Sequence, residues 1–83
     1  MIDFWAPWCG PCRALSPIIE ELAGEITGDV VIAKVNIDEC PDLAERFQIQ
    51  SIPTIVFVKN GAEVKRSVGL STKTDLLSTI RSL

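Results

Sequence analysis

The spacing of apolar residues at the start of the chain predicts a short strand followed by a long helix. Met1 to Ala6 is apolar except for Asp3, which predicts a buried strand. Pro11 suits the first position of the helix that follows, and Gly28 is placed to end it. Pro17 should kink this helix without ending it, because the apolar face continues past it. That face consists of Leu15, Ile18, Ile19, Leu22, Ala23 and Ile26.

The middle of the chain predicts a second strand and a short helix. Val30 to Ile37 is apolar on both faces, although Lys34 interrupts it, and this pattern is typical of a parallel strand covered on both sides. Cys40-Pro41-Asp42 predicts the start of a helix, because proline fits the first helical turn. We expect Leu43 and Phe47 to form the inward side of that helix.

The last third of the chain predicts a hairpin and a final helix. Thr54 to Val58 is β-branched and aromatic, and Asn60-Gly61 follows it as a hairpin turn in which both residues accept positive φ. Glu63 to Val68 is mostly polar and predicts an edge strand. Thr72 and Asp75 resemble a capping box at the start of the final helix. The buried positions of that helix should be Leu76, Leu77, Ile80 and Leu83.

The order of these elements, β-α-β-α-β-β-α, predicts an α/β fold. A strand–helix–strand start implies a parallel pair joined by a right-handed crossover, to which the hairpin adds antiparallel strands. With 83 residues, the chain is long enough for one small domain, spanning residues 1–83, and too short for two. A hydrophobic fraction of 47% and a charged fraction of 23% exclude a disordered chain.

Composition also excludes several classes of function. The eight basic residues are scattered and the net charge is −3, so nucleic acid is not an expected partner. The longest apolar run is about five residues, which is far too short to span a membrane. The chain has three cysteines, too few for a disulfide-stapled secreted domain, and it starts without a secretory signal. We therefore expect a cytoplasmic location.

The clearest chemical signal is the pair Cys9 and Cys12, which lies at the predicted strand-to-helix turn. This spacing brings two sulfurs close enough to form a bond, and unpaired N–H groups at the helix start favour a thiolate on Cys9. Cys12, one turn further, should be less exposed and react second. Gly10 permits close approach and Pro11 limits how far the turn relaxes. A zinc site would need more ligands than Cys40 and scattered carboxylates, since the chain has no histidine. A purely structural disulfide across so short a loop would contribute little stability.

The segment from Phe4 to Arg13, FWAPWCGPCR, resembles the active-site segment of the thioredoxin family. Four later segments resemble that family's motifs in order and at similar spacing, so that the likeness extends along the whole chain. They are Val35 to Asp38, Ile52 to Thr54, Lys59 to Gly61, and Val68 to Gly69. The resemblance implies a three-layer fold, with a mixed sheet of about four strands flanked by helices.

The resemblance also implies a protein-disulfide reductase. Cys9 would attack a disulfide in a protein substrate, and Cys12 would then resolve the mixed disulfide. No metal or cofactor would be required beyond the Cys9–Cys12 disulfide itself, and a separate reductase, typically flavin-dependent, would restore the electrons. Trp8, Ile52, Pro53 and Gly69 match the family's apolar docking surface for substrate, with a cis bond before Pro53.

Asp3 and Lys34 are candidates for a supporting role. Burial of Asp3 between Ile2 and Phe4 should raise its pKa, and the family's buried aspartate occupies this position. Such a carboxyl would be able to relay a proton, through water, as Cys12 becomes a nucleophile. Alternatively, Asp3 is solvated at a frayed strand end. Lys34 matches a family lysine whose proximity would temper the pKa shift, or it simply packs its stem and holds its ammonium in water.

Three other residues carry weaker signals. Trp5 follows the strand and should be a packing residue, whereas Trp8 should be a surface aromatic. Cys40 precedes Pro41 at a helix start, where a thiol can have a lowered pKa and be open to modification. A half-buried, inert thiol is the simpler interpretation.

Two alternative functions and one structural departure remain open from the sequence. The same scaffold serves thiol oxidants and disulfide isomerases, although these more often carry a histidine between the cysteines. It could also serve as a binding or processivity subunit that needs no thiol chemistry. Thioredoxins usually carry a further strand and helix before the active-site strand, which this chain lacks. We therefore expect the strand Val30 to Ile37 to present a bare edge through which a homodimer forms. We also expect the domain to be less stable than a full-length relative.

Overall fold

The predicted order of elements is confirmed by the computed structural model, which describes residues 1–26 and 28–83. The described part of the chain forms four strands and three helices, arranged as an α/β fold in three layers. In chain order they are β1 (Ile2–Trp5), α1 (Gly10–Glu25), β2 (Ala33–Asn36), α2 (Pro41–Arg46), β3 (Thr54–Lys59), β4 (Ala62–Val68) and α3 (Lys73–Ser82).

The sheet is mixed, with the strand order β2-β1-β3-β4. β1 and β2 are parallel, as the crossover through α1 requires, and β1 pairs antiparallel with β3. The β3–β4 hairpin turns at Asn60 and Gly61, whose φ angles of 54° and 80° are the positive values that the sequence pattern predicts. In this register Lys34, Asp3 and Ile55 lie side by side across three strands and share one face of the sheet.

The main core lies between that face of the sheet and the pair of helices α1 and α3. Its buried members are Leu15, Ile19, Leu22, Ile55, Phe57, Leu76 and Ile80. Because successive side chains of a strand point to opposite faces, Phe4 projects away from α1. Its ring lies 5.4 Å from that of Phe47, at the end of α2. The helix α2 therefore belongs to the opposite face of the sheet from α1 and α3.

Two groups of charged side chains join these layers. Arg66 of β4 donates hydrogen bonds to the Phe47 carbonyl at 2.6 Å and to the Glu63 carboxylate at 2.8 Å, so that it ties β4 to the end of α2. On the other face, Lys73 of α3 pairs with Glu21 and Glu25 of α1, at 2.8 and 2.6 Å. The Lys73 contacts are exposed to solvent, whereas the Arg66 contact also satisfies a helix-end carbonyl.

The prediction of a long second strand buried on both sides is wrong. β2 covers only Ala33–Asn36, Val31 is 74% exposed, and no residue of β2 is fully buried. The reason is its place at the edge of the sheet, where neighbouring elements cover it less completely than a central strand. The expectation that this apolar run lies at an edge of the sheet is confirmed, since β2 is the outermost strand on its side of the described sheet. β3 is the strand with consecutive buried residues, from Thr54 to Phe57.

Smaller corrections concern the helices. The helix α1 continues through Pro17 as predicted, but it ends at Glu25, before Gly28. Leu43 is exposed rather than inward-facing, because α2 has only six residues and packs through Phe47 at its end. Ala23 and Leu83 are also exposed, so the buried stripes of α1 and α3 are narrower than the apolar patterns suggest. None of the described helices has the length and hydropathy needed to cross a membrane.

Candidate active site

The start of α1 places the two cysteines of the predicted dithiol in contact. Cys9 is the N-cap residue of the helix, with an extended backbone, and Cys12 lies in the first turn. The two are joined in a disulfide, with their Cα atoms 5.2 Å apart. Both are nearly buried, at 5% and 3% exposure, so Cys12 is only slightly less exposed than Cys9. This geometry is that of the oxidised form of the predicted dithiol.

The local electrostatics distinguish the two sulfurs. The backbone N–H of Cys12 points to Cys9 Sγ at 3.1 Å, in the manner of a side-chain helix cap. Such an N–H, together with the positive end of the helix dipole, stabilises negative charge on Cys9 Sγ when the disulfide is reduced. Gly10 and Pro11 occupy the first turn between the cysteines and hold this arrangement. The sulfur of Cys9 is therefore the better placed of the two to act as a thiolate.

A second segment packs against Cys9 from across the fold. Cys9 Sγ lies 3.8 Å from the carbonyl oxygen of Ile52, and the Ile52–Pro53 peptide bond is cis, as the sequence resemblance implies. The N–H of Gly69 donates to the Pro53 carbonyl at 2.8 Å. The structure thus brings Ile52, Pro53 and Gly69 together beside the disulfide, although they are far apart in the chain.

Trp8 forms the exposed side of this region. It is 67% exposed, and its indole N–H donates to the carboxylate of Asp38, with distances of 3.1 and 3.4 Å to the two oxygens. A large aromatic side chain held on the surface beside a reactive sulfur is suited to contact another protein. Asp38 was missed as a functional residue, although it lies in one of the segments that carry the sequence resemblance.

Asp3 lies under α1 on the central strand of the site. Its side chain is only 1% exposed, so the alternative of a solvated Asp3 at a frayed strand end is wrong. Burial raises the pKa of Asp3 to about 6, from an ordinary value of 3.8, and the positive charge of Lys34 opposes this rise. Among the residues that the structure describes, none donates a hydrogen bond to its buried Oδ1 atom. Trp5, two residues further along the same strand face, packs against the Cys9 and Cys12 cluster.

Lys34 lies beside Asp3 but is bound elsewhere. The two residues are register partners in the parallel β1–β2 pair. The Lys34 ammonium donates to the hydroxyl of Ser16 at 2.9 Å and lies 4.7 Å from the centre of the Trp5 ring. Sequence reasoning missed Ser16. The signal was its spacing, because Ser16 follows Cys12 by one helical turn and therefore lies on the same side of α1.

Cys40 remains apart from this chemistry. It is a free, half-buried thiol at the N-cap position of α2, where it makes no side-chain capping hydrogen bond. Among residues 1–26 and 28–83, no group of three or more histidine, cysteine or carboxylate side chains is arranged to hold a metal ion.

Comparison with known proteins identifies relatives along nearly the whole chain. The sequence pattern of the Thioredoxin family matches residues 1–82. Thioredoxin from Rickettsia felis is 48% identical over 80 residues, which cover 96% of this chain and 76% of that protein. Thioredoxin M-type, chloroplastic, from Spinacia oleracea is 46% identical over 80 residues, and the chain spans only 44% of its length. The solved structure of a mutant thioredoxin from Halobacterium salinarum NRC-1 matches with a TM-score of 0.89 and 38% identity, over 98% of this chain and 70% of that one.

Proposed function

Because this chain belongs to the thioredoxin family, we propose that it reduces disulfide bonds in other proteins, with Cys9 as the attacking sulfur and Cys12 as the resolving one. Thiol–disulfide exchange is the chemistry of the family, and the Cys9–Cys12 disulfide at the start of α1 is the group that performs it. The single observation that carries the assignment of roles is the Cys12 N–H directed at Cys9 Sγ.

The reaction proceeds in two exchanges. In the reduced protein, the Cys9 thiolate attacks one sulfur of the substrate disulfide, that S–S bond breaks, and the other substrate sulfur leaves as a thiolate. The thiolate of Cys12 then attacks Cys9 Sγ, which breaks the mixed disulfide and releases the second substrate sulfur. Two electrons have passed to the substrate, and Cys9 and Cys12 are left as a disulfide.

Asp3 is proposed to serve the second exchange as a proton acceptor. Cys12 must lose its proton before it attacks, and a carboxyl with a pKa of about 6 is largely ionised at neutral pH yet basic enough to accept a proton. Asp3 lies on the sheet face that α1 covers, the same face as Trp5. A water molecule would carry the proton between thiol and carboxyl. Lys34 adjusts the proton affinity of Asp3 through its positive charge.

The apolar surface around Cys9 is proposed to bind the substrate protein. Trp8 contributes an exposed ring, and Ile52, Pro53 and Gly69 contribute a rim of backbone and apolar side chain beside the sulfur. The hydrogen bond from Trp8 to Asp38 limits the orientations of the ring and so reduces the entropy lost when a substrate docks against it.

Selective alkylation tests the roles of the cysteines. At neutral pH, a limiting amount of alkylating agent should label Cys9 of the reduced protein before Cys12 and Cys40. Cys12→Ser should accumulate mixed disulfides with oxidised insulin, Cys9→Ser should form none, and Cys40→Ser should behave like the unaltered chain. Preferential labelling of Cys12, or turnover by Cys9→Ser, would contradict the assignment.

The direction of electron flow needs its own measurement. Equilibration of the dithiol with glutathione buffers should give a reduction potential well below that of glutathione, as a reductase requires. A potential above that of glutathione would instead indicate a thiol oxidant or isomerase. A Cys9→Ser variant that retains its biological function would indicate a binding subunit.

The electron donor and the location of the protein are part of the same proposal. A separate flavin-dependent reductase would restore the dithiol, which a coupled assay with purified candidate reductases tests directly. We propose a cytoplasmic location, where thiols are kept reduced. Since some relatives are named as chloroplastic, fractionation of the source cells is the appropriate measurement.

Self-association through β2 is also proposed. This strand is at the edge of the sheet, and Val31, just before it, is 74% exposed. An apolar edge with unpaired backbone groups pairs readily with another strand. Sedimentation over a concentration series should show a monomer–dimer equilibrium that Val31→Lys weakens. A monomer at all concentrations would contradict this proposal.

A further inference from the structure

We propose that Ser16 is a positioning residue of the active site, because its hydroxyl tethers the ammonium of Lys34 between α1 and the sheet and so keeps a positive charge beside the buried carboxyl of Asp3. This inference rests on the proposed function, in which Asp3 accepts a proton. It assigns the position of the nearby charge to one hydroxyl group on the same helix as the cysteines.

The geometry places Lys34 where its position matters. Neighbouring strands are about 4.8 Å apart, so register partners such as Asp3 and Lys34 have side chains that start side by side. The Lys34 ammonium could extend into water, as most lysines do, since the residue is exposed. Instead, it donates to Ser16 Oγ at 2.9 Å and lies over the Trp5 ring.

The residues on the other sides of Asp3 are apolar or exposed to solvent. On the side away from Lys34, β3 presents the apolar Ile55 in register. The charged residues of α1 nearest to Ser16 in the chain, Arg13 and Glu20, are exposed. Burial raises the pKa of Asp3, and the positive charge of Lys34 lowers it. A change in the position of the Lys34 ammonium should therefore change the pKa of Asp3.

The consequence of losing the hydroxyl has a definite sign. A lysine side chain recovers much rotamer freedom when it is released, so without Ser16 Oγ the ammonium would spend more of its time in water. Its average attraction for the Asp3 carboxylate would fall, and the pKa of Asp3 would rise. Removal of Lys34 itself should produce the same change in full.

Carboxyl carbon NMR titration of the oxidised protein measures this pKa directly, with Asp3→Asn used to assign the resonance. Lys34→Met should raise the pKa by about 1 unit, as expected for loss of a nearby opposite charge. Ser16→Ala should raise it by a smaller amount, and Ser16→Thr, which retains a hydroxyl, should restore the original value. In the Lys34→Met background, Ser16→Ala should have no further effect. Alanine is favourable in a helix, so α1 should remain folded.

Two results would overturn the inference. One is a Ser16→Ala titration that coincides with that of the unaltered protein or moves downward. The other is an equal effect of Ser16→Ala with and without Lys34, which would mean that the hydroxyl acts through something else. Because the titration needs no turnover, it stays informative even if the alkylation experiment contradicts the roles proposed for Cys9 and Cys12.

Discussion

Replacement of Asp3 by asparagine should stabilise the fold at neutral pH and leave it nearly unchanged in acid. Burial raises the pKa of Asp3 from 3.8 to about 6, so the folded protein holds its proton more tightly than the unfolded chain does. The contribution of Asp3 to the free energy of unfolding is therefore greatest below its pKa in the unfolded chain. This contribution is lost as the pH rises toward its pKa in the folded protein. At about 1.36 kcal/mol for each unit of pKa, the loss is about 3 kcal/mol above pH 6.

Urea unfolding of the oxidised protein between pH 4 and pH 8 measures this contribution. Asp3→Asn should exceed the unaltered chain by up to about 3 kcal/mol at pH 7.5 and by less than about 1 kcal/mol near pH 4. Glu20→Gln, which removes an exposed carboxyl from α1, is the matched control and should show no such pH dependence. Equal stability of Asp3→Asn and the unaltered protein across this range would refute the reasoning, as would a loss of stability at every pH. If the stabilisation is found, slower resolution of the mixed disulfide by Cys12 in Asp3→Asn would show why the carboxyl is retained despite its cost in stability.

Three further predictions concern residues around the site and the layers. Gly69→Ala should cost about 1 kcal/mol in urea unfolding, because its φ is +88° while the space around it is open; a neutral result would mean that the backbone adapts. Arg66→Ala should cost about 1 to 2 kcal/mol, since it leaves the Phe47 carbonyl without its donor, and Arg66→Lys should recover only part of this; full recovery by lysine would refute the geometric argument. Asp38→Ala should change the fluorescence of Trp8 and raise the KM for insulin reduction, whereas Asp38→Asn, which keeps an acceptor, should resemble the unaltered protein; an unchanged KM would exclude a docking role for the contact.

The sequence was sufficient for the dithiol because local rules govern it. Cys9, Gly10, Pro11 and Cys12 act within one helical turn, so their spacing and the start of the helix determine their arrangement. The burial of Asp3 was one of two outcomes that the sequence left open, because its apolar neighbours favoured burial while its place near the chain start favoured a frayed, solvated end; the structure decides for burial.

The contacts that sequence reasoning missed join distant segments. Trp8 and Asp38 are 30 residues apart, and Ser16 and Lys34 are 18 apart, so local spacing places Ser16 on the cysteine side of α1 but does not identify the partner of either residue. The error in β2 has a related cause. The apolar run predicts cover on both faces of the strand, but burial depends on the neighbouring elements, and the edge position that the sequence also predicts leaves β2 only partly covered.

The way α2 is attached has a consequence for local stability. This helix has only six residues and none of them is fully buried. The Phe47 ring and the Arg66 hydrogen bonds attach it at its C-terminal end, and at its N-terminal end the Cys40 N–H donates to the carbonyl of Asn36. Native-state hydrogen exchange should therefore find its amides exchanging through a low-energy local opening, while the amides of β3 exchange only when the whole domain unfolds. Since Asp38 lies just before α2, each such opening would also loosen the partner of Trp8. The proposed substrate-binding surface would then loosen around Trp8, while Cys9 and Cys12 stay in their buried cluster with Ala6.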